Sequence, residues 1–149
     1  MVELDTTTLY NDAIHKFLQI HRYIRKYAHR IRSVGISGRR VAALRHLLEG
    51  GPQTIGQLST YFYISDSSTS EMVADLERLG LARRTRSTAD NRVVLVEVTP
   101  DGQRLVKNAP LGGISLLRER LKGLPAERLT RIDDALTDLV QLLEIEHDE

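Results

Sequence analysis

The stretch Tyr63–Arg84, YISDSSTSEMVADLERLGLARR, restricts the possible folds more than any other part of the chain. Hydroxyl side chains crowd its start, apolar residues then recur at helical spacing, and Gly80 ends the pattern. Ser65 is a natural N-cap for this helix. Its predicted core stripe is Thr69, Met72, Val73, Leu76 and Leu79, and its opposite face carries Ser67, Ser70, Glu71, Ala74 and Arg78. Such a start has two explanations, which are ordinary capping or close contact of the first turns with a crowded, anionic surface.

The segments around this helix predict a simple order of elements. Before it, Ser37–Glu49 has helical spacing, and Thr54 and Gln57 have the spacing of a capping box that begins a short helix. After it, LARRTRS and RVVLVEVT predict the strands of a hairpin with STADN at its tip, and Thr99-Pro100 starts another helix. Further helices are predicted over Thr7–Ile31, Gln103–Asn108 and Ile114–Leu121 and from Pro125 onward.

Composition indicates one globular domain and excludes several classes of protein. Of the 149 residues, 41% are hydrophobic and 28% charged, which is ordinary for a soluble chain. No apolar run approaches the ~20 residues that span a bilayer, and the N-terminus has no secretory signal, so we expect a cytoplasmic protein without membrane contact. The chain has no cysteine, and its five histidines form no helical ligand pair with a carboxylate. We therefore predict no metal site.

Motifs of enzymes are also missing from the sequence. There is no P-loop, no Gly-rich dinucleotide turn and no nucleophile elbow. Asp133 and Asp134 are adjacent on a predicted helix, where their side chains diverge by about 100°, so they do not share a site. We expect no catalytic residues and no cofactor.

Charge is distributed unevenly along the chain although the net charge is only +1. Eight bases and no acid lie from Arg22 to Arg45, five arginines follow from Arg78 to Arg92, and acids outnumber bases from Glu127 onward. This distribution predicts a basic face and an acidic end, with ordinary solvated helix faces as the alternative.

Two short helices, a turn, a third helix and a hairpin make a winged helix-turn-helix. The predicted fold class is therefore mainly α with a small β-hairpin. In this fold the second helix of the turn motif enters the major groove of DNA. Contact with DNA explains the hydroxyl-rich helix start, because Ser and Thr bond base edges and phosphates. Arg83, Arg84 and Arg86 would meet the flanking backbone, and Arg92 at the hairpin tip would reach the adjacent minor groove.

Residues 72–105, MVADLERLGLARRTRSTADNRVVLVEVTPDGQRL, resemble the MarR (multiple antibiotic resistance regulator) family. The shared pattern is a recognition-helix end, a Gly-Leu-x-x-Arg strand, a wing with Asp-x-Arg and a strand leading into Thr-x-x-Gly. The resemblance implies a homodimer on a palindromic operator in double-stranded DNA, with Asp90 orienting Arg92 toward the DNA. Glu71 departs from the family, which commonly has a polar or basic residue there. This acid could accept a hydrogen bond from a cytosine amino group, or pair with Arg78 or another arginine.

We predict one winged-helix domain over residues 1–149, with a DNA-binding lobe over 36–100 and dimerisation helices over 1–33 and 101–149. The apolar stripes of the first and last helices are wide enough to need a partner, which agrees with a dimer. Two-fold symmetry then places the half-sites about 10 base pairs apart. The residues predicted to contact DNA are Ser65, Ser67, Ser68, Thr69, Ser70, Arg83, Arg84, Arg86, Asp90, Asn91 and Arg92.

The resemblance also implies regulation by a ligand. Members of the family often release DNA when a small phenolic or anionic molecule binds between the dimer helices and the DNA-binding lobe, and repression is the default expectation. The candidate effector-binding residues are His15, His21, Tyr23, Tyr27, Arg45 and His46, with interface packing as the alternative for each. The aromatic run Tyr61–Tyr63 is predicted to be buried beneath the helices.

A winged helix that binds protein and no DNA is the rival function. Glu71 and the low net charge favour it, and many folds of this kind serve such a role. Loss of DNA affinity on Arg92→Ala distinguishes the two, because a protein-binding winged helix does not need that arginine.

Overall fold

The computed structural model describes residues 5–146. In this range the chain forms helices and one two-stranded hairpin. The helices are α1 (Thr6–Ile31), α2 (Gly38–Gly50), α3 (Ile55–Phe62), α4 (Asp66–Arg78), α5 (Pro100–Asn108), α6 (Gly113–Lys122) and α7 (Ala126–Leu142). A short 3-10 turn, Arg32–Val34, joins α1 to α2, and the hairpin consists of β1 (Ala82–Arg86) and β2 (Val94–Val98). The predicted fold class, mainly helical with a small hairpin, is confirmed.

Side-chain caps determine where the first five helices begin. The cap residues, each accepting a backbone N–H of the first turn, are Asp5, Ser37, Thr54, Ser65 and Thr99. Thr54 and Gln57 form the predicted capping box, with reciprocal hydrogen bonds of 2.9 and 3.1 Å. Each cap satisfies a donor that the helix itself leaves unpaired and contributes about 1 kcal/mol.

The hydrophobic core lies among α2, α3, α4, α5 and the hairpin. Its completely buried side chains include Val41, Leu44, Leu58, Val73, Leu76 and Val96. Removal of these aliphatic surfaces from water is the main stabilising contribution, at roughly 25 cal/mol per Å². The terminal helices take little part in it, since α1 buries one residue, Ile31, and the described α7 buries none.

The hairpin is anchored at its base and exposed at its tip. The strands pair antiparallel, with Ala82 opposite Val98 and Arg86 opposite Val94. The backbone of Val96 also exchanges two hydrogen bonds, of 2.7 and 3.0 Å, with Gln53 just before α3. This bridge between Gln53 and Val96 holds β2 against the segment that leads into α3.

A close approach explains the glycine in the Thr-x-x-Gly pattern. A Cβ at Gly102 would collide with the carbonyl oxygen of Leu81 and with the side chain of Val98. The same carbonyl accepts a hydrogen bond of 3.0 Å from the N–H of Thr99, the cap of α5. A side chain at this position would therefore push α5 away from the hairpin.

Two predicted burial assignments are wrong. Leu79, placed in the core stripe of α4, is 55% exposed because the helix ends at Arg78. The chain then turns at Gly80, whose φ of +72° favours glycine, and Leu81 enters the core instead. Tyr63 is 87% exposed, since it is the left-handed C-cap of α3, whereas Tyr61 and Phe62 are half-buried.

Candidate nucleic-acid interface

The start of α4 presents small hydroxyl groups. Ser65 caps the helix, and its Oγ accepts from the Ser68 N–H at 3.1 Å and donates to the Ser68 Oγ at 3.0 Å. Ser67 and Ser68 are exposed, and Ser65 is half-buried. The cap occupies the Ser68 N–H, and the short side chains of Ser67 and Ser68 leave the positive end of the helix dipole open to an approaching anion.

Thr69 does not belong to this surface, which corrects the sequence-based assignment. Its side chain is completely buried, and its hydroxyl donates to the Ser65 carbonyl at 2.9 Å. The residue lies on the same face of α4 as Val73 and Leu76, so its methyl group packs in the core. Ser70 is half-buried, and its Oγ accepts from Arg84 at 3.1 Å.

Arg84 connects the hairpin to α4 instead of facing outward. Its guanidinium pairs with Glu77 and donates to the Ser70 carbonyl at 3.2 Å, and its side chain is 31% exposed. These contacts within the protein compete with any contact to the DNA backbone, so the expected role of Arg84 at DNA stays a prediction. The residue sets the position of β1 against α4.

Arg83 and Arg86 are exposed, and each has one partner within the hairpin. Arg83 forms an ion pair of 2.5 Å with Glu97, the residue opposite it in the sheet. Arg86 donates to the Asn91 carbonyl at 2.9 Å, which ties the strand to the loop. Asn91 itself is exposed at the tip.

At the tip of the wing, Asp90 holds Arg92. Its Oδ1 accepts from the Arg92 backbone N–H at 3.0 Å and from Nε at 3.3 Å. The Arg92 side chain is 92% exposed. Ser87 closes the loop, since its N–H donates to the Val93 carbonyl at 2.8 Å and its Oγ accepts from the Asp90 N–H at 3.4 Å. An exposed guanidinium is thus aimed by a carboxylate in a hydrogen-bonded turn, as the resemblance implied.

A cleft of about 390 Å³ lies where α1, α2, α3 and α6 meet. Its lining includes Tyr27, Arg39, Tyr61, Phe62 and Arg118. The Arg118 guanidinium lies 3.9 Å from the centre of the Tyr61 ring, which stacks on His46 at 3.6 Å. Sequence reasoning missed Arg39 and Arg118, since their position at this cleft depends on how distant helices pack.

The residues predicted to bind an effector divide into three groups, which are Tyr27 with Tyr23, Arg45 with His46, and His15 with His21. Tyr27 lines the cleft and donates to the Pro110 carbonyl at 2.9 Å, and burial raises the pKa of its hydroxyl. Tyr23 accepts from the Gly113 N–H at 3.0 Å. Arg45 and His46 line a small adjacent recess, where burial lowers the pKa of His46.

His15 and His21 form the third group. Both are exposed on α1 and line neither cavity, so the structure does not place them with the other candidates. His21 instead stacks on Phe17, with ring centres 6.5 Å apart. The physical reason is distance along the helix, because only the last turns of α1 reach α2 and α6.

Large apolar side chains are exposed on the terminal helices. On α1 and α6 they include Leu9, Ile14, Phe17, Leu18, Ile20, Ile114 and Leu117, and on α7 they include Leu136, Leu139, Val140 and Leu142. Large exposed apolar side chains in such number typically mark a protein–protein interface. In the described part of the chain no helix is both long and apolar enough to cross a bilayer.

Comparison with known proteins agrees with this architecture. Residues 34–92 match the sequence profile of the MarR family. An HTH-type transcriptional regulator of Mycobacterium bovis, Mb0904, is 32% identical over 107 residues, which are 72% of this chain and 75% of that protein. The chain belongs to the MarR family.

Solved MarR structures share the fold of this MarR protein. AbsC, a MarR family transcriptional regulator from Streptomyces coelicolor, matches with a TM-score of 0.64 and 24% identity over 98% of this chain and 100% of that one. FabT from Streptococcus pneumoniae, solved in complex with DNA, matches with a TM-score of 0.58 and 19% identity over 94% and 98%. The predicted family and the predicted class of function, a DNA-binding transcriptional regulator, are both confirmed.

Proposed function

We propose that this MarR protein is a homodimer that binds a palindromic operator and represses transcription until a small anionic aromatic molecule releases it. The observation that carries the proposal is the wing, where Asp90 holds the exposed guanidinium of Arg92 beside a helix with an open, hydroxyl-rich start. The packing of α4 against β1 keeps these two features together.

Each part of this surface suits a different part of DNA. The first turn of α4, with Ser67 and Ser68, is slim enough to approach the floor of the major groove. Arg83 and Arg86 carry exposed charge toward the phosphates, and Arg92 reaches the minor groove. FabT, which shares the fold, was solved bound to DNA, and we propose the same mode of binding here.

Dimerisation would cover the exposed apolar side chains of the terminal helices. At roughly 25 cal/mol per Å², leaving them in water is unfavourable, and a two-fold interface buries both copies at once. We propose that α1, α6 and α7 form this interface. We propose that α5 also belongs to the DNA-binding lobe, because Val106 in α5 and Ala109 just after it are buried with the core residues.

The cleft between the lobe and the terminal helices suits the effector. Aromatic walls from Tyr27, Tyr61 and Phe62 accept an aromatic ring, and Arg39 and Arg118 supply positive charge for an anionic group. A ligand there would contact both α6 and α3, so it would bias the position of the lobe relative to the dimer helices.

Selection of bound fragments from random duplex DNA tests the proposal. The expected result is a palindrome with half-sites about one helical turn apart. On that duplex, Arg92→Ala should weaken binding by about 1–3 kcal/mol in an anisotropy titration. Arg128→Ala, which removes an exposed arginine from α7, is the matched control and should leave the affinity unchanged.

Two results would contradict the proposal. If no fragment is enriched, even after the protein is refolded free of any ligand, the winged helix binds a protein instead. If Arg92→Ala and Arg128→Ala weaken binding equally, the wing assignment is wrong, although a steep loss of affinity with salt would still indicate phosphate contacts.

A further inference from the structure

The outward face of α4 carries an acid where DNA phosphates would repel it. Thr69, Met72, Val73 and Leu76 are buried and define the inward direction of the helix. Successive residues of a helix are rotated by about 100° about its axis. Four positions therefore lie within about 30° of the outward direction, opposite the core, and they are Ser67, Glu71, Ala74 and Arg78. Glu71 is exposed. Its carboxylate therefore lies near the centre of the face that would meet the floor of the groove.

The other three acids of α4 are all engaged. Asp66 accepts a hydrogen bond from Ser59, Asp75 pairs with both Arg40 and Arg78, and Glu77 pairs with Arg84. Arg78, the partner that the sequence offered to Glu71, is thus held by Asp75. Among residues 5–146 no ion pair or hydrogen bond to the Glu71 side chain is found. Its lone pairs remain available to a ligand.

Positive charge beside Glu71 makes an acid tolerable near DNA. Glu71 lines a cleft of about 510 Å³ together with Ser37, Arg39, Arg40 and Ser68. Arg40 is tied to Asp75, whereas Arg39 is exposed at the start of α2. An arginine on this side offsets part of the repulsion between the carboxylate and nearby phosphates.

We propose that Glu71 is a specificity-determining residue that selects cytosine in each half-site. A carboxylate only accepts hydrogen bonds, so it needs a donor on the base edge. Guanine and thymine present acceptors in the major groove, and adenine presents its amino group beside the N7 acceptor, which repels a carboxylate. Cytosine presents its N4 amino group with an acceptor on one side only, O6 of the paired guanine, whereas the adenine amino group lies between two acceptors, its own N7 and O4 of the paired thymine. Glu71 therefore both favours cytosine and opposes the alternatives, which is how specificity arises from a difference of affinities.

This inference rests on the proposed DNA binding, and comparing fragment selections tests both. The wild-type protein, Glu71→Ala and Glu71→Gln are each selected against random duplex DNA. Wild type is expected to require cytosine at one position of each half-site, with about a tenfold penalty for other bases there. Glu71→Ala should reduce that penalty to less than about twofold, and Glu71→Gln should change the preference to adenine, which glutamine binds through N6 and N7.

The non-specific affinity gives a second readout. Removing the negative charge should tighten binding to unrelated duplex by several-fold at low salt, because one repulsive charge is lost. Glu127→Gln makes the same change of charge at an exposed position of α7 and should alter neither readout. Since Glu71 is exposed, Glu71→Ala and Glu71→Gln are both expected to fold as wild type does, and equal melting temperatures check this.

The outcomes separate the two claims. If wild type enriches a palindrome and Glu71→Ala enriches the same bases at every position, the role of Glu71 is wrong while the proposed function stands. If wild type enriches nothing, the proposed function falls and this inference falls with it.

Discussion

Helices α4 and α7 have similar amphipathic patterns but very different surroundings. Helix α4 buries Thr69, Met72, Val73 and Leu76, and the described α7 buries none of its apolar residues. The difference is not in the patterns but in what covers them. The stripe of α4 is covered by neighbouring segments of the same chain, whereas we propose that a second copy covers the stripe of α7. Comparable amphipathic patterns can therefore serve folding in one region and assembly in another.

Leu76→Ala should give the largest effect, because it opens a cavity in the part of the molecule that folds on its own contacts. Leu76 is completely buried. We expect the free energy of unfolding to fall by about 2–5 kcal/mol, as for other leucine-to-alanine changes in cores. Urea unfolding followed by circular dichroism measures it. Leu79→Ala, which truncates an exposed leucine just after α4, is the control, and an equal loss there would mean that burial is not what Leu76 supplies.

Leu136→Glu tests the other helix of the comparison, α7, and should weaken the proposed dimer. The leucine is 52% exposed in the single chain, so a charge there costs the lobe little, but a dimer would bury that charge without a partner. Sedimentation should show the dimer dissociating at concentrations at least about tenfold higher than for wild type. Gln141→Glu adds the same charge away from the apolar stripe and should leave the dimer intact. A variant Leu136→Glu that stays fully dimeric would place the interface elsewhere.

Ser65→Ala sharpens the comparison at the recognition helix, since α4 starts with a side-chain cap and α7 starts at Pro125 without one. We expect a loss of about 1 kcal/mol in stability, because the Ser68 N–H loses its acceptor. Thermal unfolding of Ser65→Ala against Ser65→Asp separates capping from other roles, since aspartate also caps a helix. If both variants lose stability equally, capping is not what this serine supplies.

The smallest expected effect is a pH dependence at the junction of the two regions. Burial lowers the pKa of His46 below its ordinary value, so the unfolded chain binds a proton there more readily than the folded one. The contribution of His46 to stability is complete above about pH 6.5 and is lost as the pH falls toward the lowered pKa. Urea midpoints at about pH 7.5 and about pH 5.5 should therefore differ more in wild type than in His46→Gln. Equal differences would show that other groups cause the acid sensitivity.

Several features of the candidate nucleic-acid interface could be predicted from interactions between residues close in sequence. Each of the N-caps Thr54, Ser65 and Thr99 accepts from the N–H three residues later, so the starts of α3, α4 and α5 follow from short segments. The Asp90–Arg92 pair is also local, because two residues of one turn form it. The three caps were predicted correctly from the sequence. The Asp90–Arg92 pair was implied by the resemblance to the MarR family, and its contact with DNA stays a prediction.

Tertiary packing determined the burial of side chains at the end of α4 and the partners of several arginines. Leu79 faces outward because α4 ends at Arg78 and the chain turns at Gly80, so that the core covers Leu81 instead. Arg84 is held by Glu77 and Ser70, and Arg118 rests on Tyr61, through contacts between residues 7 to 57 positions apart. The order of helices and the wing follow from the sequence by itself, because short-range geometry encodes them, and the family follows from the resemblance of residues 72–105 to a known pattern. Which arginine side chains are exposed, and that Glu71 has no partner among residues 5–146, depended on the fold, because side chains far apart in the chain compete for the same charges.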